Sequence, residues 1–172
     1  QVINMINILA NDGLWMPPKL FKNQQVQRPK LIPFNQEYLR LIREGMIAVV
    51  NSEGGTANKV RFEEFTVAGK TATSQVISNK TFEKLDEEAK LNKIYQNHAW
   101  FVAFGPAEDP EISVLALVEH GGGGSKTAAP VVRKILSYYI DNIYQPKTEQ
   151  ILQNNVESIN RKFSDRLRTA FY

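Results

Sequence analysis

The chain contains no cysteine. Disulfides, thiolate nucleophiles and cysteine-bound metals are excluded, and the absence fits either redox compartment. Histidine is almost as scarce: His98 and His120 are the only two, and neither has further ligand-type side chains at metal-binding spacing. Both therefore read as structural, and no metal is expected. No apolar run approaches the ~20 residues of a membrane span, and no stretch reads as a secretory leader. A large excess of one charge is missing too. With 21 Lys and Arg against 18 Asp and Glu, the net charge is only +3 and is dispersed. That falls short of the clustered basic footprint of a nucleic-acid binder, so neither nucleic acid nor direct membrane contact is expected.

One glycine run invites a nucleotide reading and fails it. Gly121 to Gly124, followed by Ser125-Lys126-Thr127, sits between a strand pattern and a helix pattern. A phosphate-binding loop needs glycine directly before the lysine and another five positions earlier, where this chain has Ser125 and His120. No cofactor is expected. The run reads instead as a flexible turn that lets the helix from Ala128 to Ile143 fold back over the sheet, with Pro130 in that helix's first turn.

What is present suits one α+β domain. The chain has 172 residues, 42% of them hydrophobic, which is enough for an ordinary core. Val2, Met5, Ile6 and Leu9 repeat at helical spacing until Asn11-Asp12-Gly13 and Pro17-Pro18 stop them. A polar, proline-punctuated connector follows over 19–35. Leu39, Ile42, Met46, Val49 and Val50 mark a second helix ending at Gly54-Gly55. Residues 64–77 read as a strand. Within 78–97, Phe82, Leu85, Ala89 and Leu91 suggest one short helix. Residues 98–104 and 112–119 read as two strands joined by a turn at Pro106 to Pro110. Apolar residues occupy both faces of the second, which predicts helices covering both sides of the sheet. Short connections favour antiparallel pairing. Val132, Ile135, Leu136, Tyr139 and Ile143 form the apolar stripe of the helix after the glycine run. Trp15, Trp100 and Phe101 read as core aromatics. Past Pro146, Leu152, Val156, Ile159, Phe163, Leu167 and Ala170 or Phe171 mark an amphipathic helical tail. The expected organisation is a domain over 1–145 and a tail over 146–172.

Most of the chemistry lies in Val67-Ala-Gly-Lys-Thr-Ala-Thr-Ser-Gln75. The run alternates like a strand but carries a lysine and hydroxyls in place of an apolar stripe. Period-2 geometry places Thr71 and Thr73 on one face and Lys70 with Ala72 on the other. Gly69 and Ala72 keep the strand surface low, so another chain can lie against it. A cation, paired hydroxyls and an approachable edge suit a carboxylate-bearing peptide added as an extra strand. An ordinary polar edge strand, kept from aggregating by its lysine, explains the same residues.

The surrounding residues weigh on that choice. Lys70-Thr71-Ala72-Thr73 resembles the Lys-Thr-Gly box of the penicillin-binding proteins and serine β-lactamases. Upstream stand Glu44-Gly45-Met46, Val49-Val50-Asn51 and Gly54-Gly55-Thr56-Ala57. Downstream stand His98-Ala99-Trp100-Phe101, Phe104-Gly105-Pro106-Ala107, Val118-Glu119-His120-Gly121 to Gly124, and Ala128-Ala129-Pro130. In this order, up to about residue 144, the set resembles the C-terminal part of a class B penicillin-binding protein of the elongation type. The resemblance implies an antiparallel sheet covered by helices, part of the penicillin-binding protein and serine β-lactamase-like transpeptidase fold.

It also implies a function: peptidoglycan D,D-transpeptidation through a serine acyl-enzyme on stem peptides ending in D-Ala-D-Ala, with β-lactams as inhibitors. The elongation machinery would be the partner, at the periplasmic face of the bacterial inner membrane. In that scheme Thr71 and Thr73 hydroxyls hold the substrate carboxylate. Lys70 supplies charge and a hydrogen bond to the second motif's serine, and the Thr73 N–H forms half of an oxyanion hole. Ala72 stands where the family has glycine, next to the substrate. No serine in this chain has a lysine three residues later, and the one Ser-x-Asn match, Ser158-Ile159-Asn160, follows the Lys-Thr box instead of preceding it. The nucleophile is therefore expected upstream of these residues, together with the membrane anchor. The alternatives are a non-catalytic carboxylate- or peptide-binding module and a structural piece.

Overall fold

In a computed structural model, residues 1–63 and 65–170 are described, with backbone only for Leu91 and residues 161–170. Two compact units result, Gln1–Lys134 and Ile135–Tyr172.

The first unit is built on a three-stranded antiparallel sheet ordered β3-β4-β5, with β3 at Ala68–Ser74, β4 at His98–Gly105 and β5 at Ile112–Val118. Helix α1 (Val2–Ala10) and helix α2 (Gln36–Asn51) precede it. Between them Leu14–Trp15 (β1) pairs with Lys30–Leu31 (β2), a small ribbon inside what reads in sequence as a connector. Two-residue strands carry too little periodicity to be seen in a sequence. Asn35 caps α2 by accepting from the Glu37 N–H at 2.9 Å, and Glu37 places negative charge in the first turn.

Register explains the layers. Ala68, Lys70 and Ala72 share a face with Phe104, Val102 and Trp100. On that side Ile6 and Ala10 of α1 and Met46 of α2 join Ala68, Val102, Phe104 and Ala107 in one buried cluster, with Leu115 of β5 packed against it. Gly69, Thr71 and Thr73 share the other face with Ala103, Phe101 and Ala99, all three buried. Phe101 is 1% exposed and Trp100 half-buried, so the core reading of these aromatics is right in full for Phe101 and in part for Trp100. Burial on both sides of β5 is incomplete: Val114 and Ala116 are buried, while Leu117 is 42% exposed.

Three segments differ from the sequence reading. The strand expected over 64–77 shortens to 68–74. The single helix expected within 78–97 is two, α3 (Asn79–Glu83) and α4 (Glu87–Leu91), followed by a 3-10 turn at Lys93–Tyr95. Each begins at its own side-chain cap, Ser78, Asp86 and Asn92. The Asp86 carboxylate accepts from the Ala89 N–H at 2.6 Å and starts a new helix where Leu85 was expected to continue one. The glycine run is also no loose turn: Gly124 is buried in a π-helical turn, Gly124–Ala128, packed across β3, β4 and β5.

Helix α5 (Ala129–Tyr139) follows, then a π-helical turn at Ile140–Tyr144 and α6 (Gln145–Ala170). The buried stripe runs Val132, Leu136 and Ile140, whereas Ile135 and Ile143 are exposed. Ile143 lies in the π turn, whose wider winding shifts the helical phase by part of a turn and which the 3.6-residue pattern does not anticipate; Ile135 lies before it, beside the buried stripe. In α6 Leu152, Val156 and Ile159 are exposed. The rest of the predicted stripe, Phe163, Leu167, Ala170 and Phe171, lies outside the residues whose side chains are described. No described helix is long and apolar enough to cross a membrane.

Candidate active-site strand

Strand β3 is an edge strand: β4 pairs along its whole length, and no strand covers its other side among the described residues. Its burial changes abruptly along the chain. Ala68 and Gly69 are buried, Thr71 is half-buried, and Lys70, Ala72, Thr73 and Ser74 are exposed. Gly69 is thus small for a reason other than an open surface. A Cβ there would stand 2.8 Å from Phe101 Cζ and 3.1 Å from Val50 Cγ2, so the missing side chain lets core and α2 close on the strand.

Helix α2 also aligns the start of the strand. Asn51 Nδ2 donates to the Ile47 carbonyl and to the Val67 carbonyl, both at 2.8 Å, joining the last turn of α2 to the residue before β3. The chain then folds back on the helix, with the Ala57 N–H donating to the Val49 carbonyl at 2.9 Å. This reversal requires glycine at 55, where a Cβ would stand 2.4 Å from the Val49 oxygen. Thr56 arrives beside β3 with its Oγ1 3.1 Å from Thr71 Oγ1. One hydroxyl must donate to the other. When Thr56 donates, the Thr71 proton is free to point at an incoming acceptor.

Lys70 is exposed, and its Nζ donates to the Thr71 carbonyl at 2.7 Å. No ion pair to Lys70 is found among the described residues. Folding therefore gathers Lys70, Thr71 and Thr73 at one open edge and adds Thr56. Thr56 stands in the Gly-Gly-Thr-Ala run, and only the glycine pair before it hints that the chain turns back there. Ala72 is exposed, and its methyl lies on the Lys70 side of the strand, where this unit leaves space. Ser158 and Asn160 lie in α6, in the other compact unit. Two surface cavities, of about 470 Å³ around Arg40 and Arg43 and about 140 Å³ around Phe82 and Tyr95, include no residue of 70–73. The strand offers an open edge to pair with. No group of three or more metal-ligating side chains exists among the described residues.

Residues 1–137 match the penicillin binding protein transpeptidase domain. The chain belongs to that family. It is 35% identical to peptidoglycan D,D-transpeptidase MrdA of Haemophilus influenzae, covering 82% of this chain and 23% of that protein. It is also 35% identical to MrdA of Acinetobacter baumannii, covering 84% of this chain and 23% of that protein. Among solved structures, Pseudomonas aeruginosa PBP2 in complex with WCK 5153 is 31% identical with a TM-score of 0.65, over 81% of this chain and 29% of that one. The Helicobacter pylori PBP2–MreC complex is 32% identical with a TM-score of 0.65, over 83% and 24%. The α+β transpeptidase fold expected from sequence is therefore the fold of this chain, which spans roughly a quarter of the length of these transpeptidase relatives.

Proposed function

We propose that this chain supplies the carboxylate-recognition strand of a peptidoglycan D,D-transpeptidase of the elongation type, within a domain over about residues 1–145. The observation that carries the reading is the open edge of β3, where Thr71 and Thr73 share a face, Lys70 adds a cation and Thr56 backs Thr71. A stem peptide ending in D-Ala-D-Ala lies along that edge as an added strand, its carboxylate accepting hydrogen bonds from the Thr71 and Thr73 hydroxyls. Lys70 contributes positive charge beside the carboxylate and proton movement toward the acyl-transfer centre. The Thr73 N–H takes half of the developing oxyanion. The nucleophile and the other half of that hole come from a Ser-x-x-Lys segment, which no stretch of these 172 residues matches. β-Lactams use the same carboxylate contacts. The wider setting in this reading is the elongation assembly at the periplasmic face of the inner membrane, with the relation to MrdA and the MreC-bound PBP2 as support.

Binding without acyl transfer is the second reading, favoured by the open edge of β3, whose hydroxyls and lysine suffice to hold a carboxylate. The test has two arms. Titrating an N-acyl-D-Ala-D-Ala peptide into isotope-labelled chain should perturb the amides of Thr71 and Thr73 and the Thr56 hydroxyl region. Lys70→Ala should erase the response. A peptide that perturbs other residues, or none, removes the carboxylate assignment. In the second arm, intact-mass measurement with penicillin should show no covalent adduct on this chain, because the activated nucleophile is missing. A stoichiometric adduct would show that the nucleophile has been misidentified.

A further inference from the structure

His98 and His120 lie outside the carboxylate scheme, yet they make the most specific polar contact at the far end of the sheet. His98 opens β4 and pairs with Ser74, the last residue of β3. His120 follows β5 in the left-handed region, at φ +53. The His120 backbone N–H donates to His98 Nδ1 at 2.9 Å. His120 Nδ1 stands 3.2 Å from the Gln96 carbonyl, and the two rings meet edge to face with centroids 4.8 Å apart.

These contacts fix both protonation patterns. A nitrogen that accepts from an amide carries no hydrogen, so in this contact the His98 proton is on Nε2. A carbonyl only accepts, so His120 carries its proton on Nδ1. The pair is therefore unequal. A second proton on His120 leaves its bond to Gln96 in place. A second proton on His98 sets N–H against N–H and strips the His120 amide of its acceptor.

That amide begins the glycine turn. The Gly122 N–H donates to the Asn97 carbonyl at 2.8 Å, and Thr127 Oγ1 stands 3.0 Å from both the Gly121 and Gly123 carbonyls. The turn delivers Gly124 onto the sheet so closely that a Cβ would stand 2.3 Å from the Trp100 oxygen and 2.8 Å from the Ala72 oxygen. Ala72 precedes Thr73, so the turn anchored by His98 supports the candidate carboxylate strand from behind. Near the pair, β3 ends at uncharged Ser74 and is followed by uncharged Gln75. The 3-10 turn contributes Lys93, the residue after β5 is Glu119 and the π turn contributes Lys126, all three exposed.

We propose that His98 is a positioning residue, a proton-sensitive clasp that holds the glycine turn beneath Ala72 and Thr73 when neutral and releases it when charged. Its bearing on catalysis rests on the function proposed above; the clasp itself does not. The test uses the intact chain, labelled with ¹⁵N and followed by NMR between about pH 8 and 5, where histidine changes charge. At the upper end, ring correlations should show His98 protonated on Nε2 and His120 on Nδ1. As His98 takes its second proton, the His120 amide should shift. Hydrogen-exchange protection at His120 and Gly122 should fall by about tenfold, the loss of roughly one hydrogen bond. The Ala72 and Thr73 amides should move with the same midpoint. His98→Asn, whose side-chain oxygen accepts but does not titrate, should keep the protection and lose the pH response. His98→Phe should lack the protection throughout. Titration of His98 without change at His120 and Ala72, or an unaltered pH response in His98→Asn, overturns the proposal. The native titration decides even where a variant fails to fold. A D-Ala-D-Ala peptide added at the upper pH separates the two readings: a working clasp with no peptide response removes the site assignment and leaves the clasp standing.

Discussion

Strands β3 and β4 lie side by side in full register, yet they are built on opposite principles. From Ala99 to Gly105 every residue of β4 except Trp100 is buried, because β4 has a strand on each side. In β3, burial ends after Gly69, and the remaining residues are a lysine, an alanine and hydroxyls. The central strand is held by apolar packing on both faces. The edge strand is held at its start by α2 and Asn51, and along its length by the β4 ladder. A strand anchored that way can leave its outer half polar and its outer edge open, which a substrate-pairing site requires. Stability and the proposed recognition therefore fall to neighbouring strands of one sheet.

Substitutions can break this contrast. The largest effect is expected at Phe101, whose ring lies in the core between β4 and the Gly69 position. Phe101→Ala should cost about 3–5 kcal/mol, measured by denaturant unfolding. A cost under about 1 kcal/mol would mean that β4 is not the sheet's structural centre. Next comes Gly55→Ala, which drives a methyl into the Val49 carbonyl. It should destabilise by about 1–3 kcal/mol and uncouple Thr56 from Thr71, visible as a changed Thr71 environment in NMR spectra. A variant with native stability and native Thr71 signals would show that the reversal after α2 does not position Thr56.

Asn51→Ala should cost about 1–2 kcal/mol, the worth of the two hydrogen bonds that join α2 to the approach of β3. It should also weaken peptide response at Thr71, measured by the same titration as the native chain; an unchanged response would free the site from α2. The smallest effect on stability sharpens the contrast most. Lys70→Ala and Thr73→Val, both at exposed positions, should stay within about 0.5 kcal/mol of the native chain while removing the response to a D-Ala-D-Ala peptide. Large destabilisation by either, in thermal unfolding, would place these side chains in the scaffold.

The identity of the strands and helices was legible wherever a pattern ran long enough. Helices α1 and α2 and strands β4 and β5 stand where periodicity and turn residues put them, and the edge strand occupies the middle of its expected span. Three short elements between Ser78 and Gln96 were not legible as three, because side-chain caps acting over two or three residues outweighed a weak apolar spacing. Lys70, Thr71 and Thr73 stood out as polar residues in a strand pattern. Thr56 did not, since its partner is 15 residues away and reaches it only through the reversal at Gly55.

By itself, then, the sequence determined the order of the longer elements, the polar character of β3 and the family, because each is written in local spacing or in the order of short motifs. Which glycines serve packing was decided only by tertiary structure. So were the approach of Thr56 to Thr71 and the joining of His98 to His120. The physical reason is the same in each case. A close approach between backbones, or a hydrogen bond between side chains, depends on where separate segments come to rest after the core has packed, and no local period encodes that position.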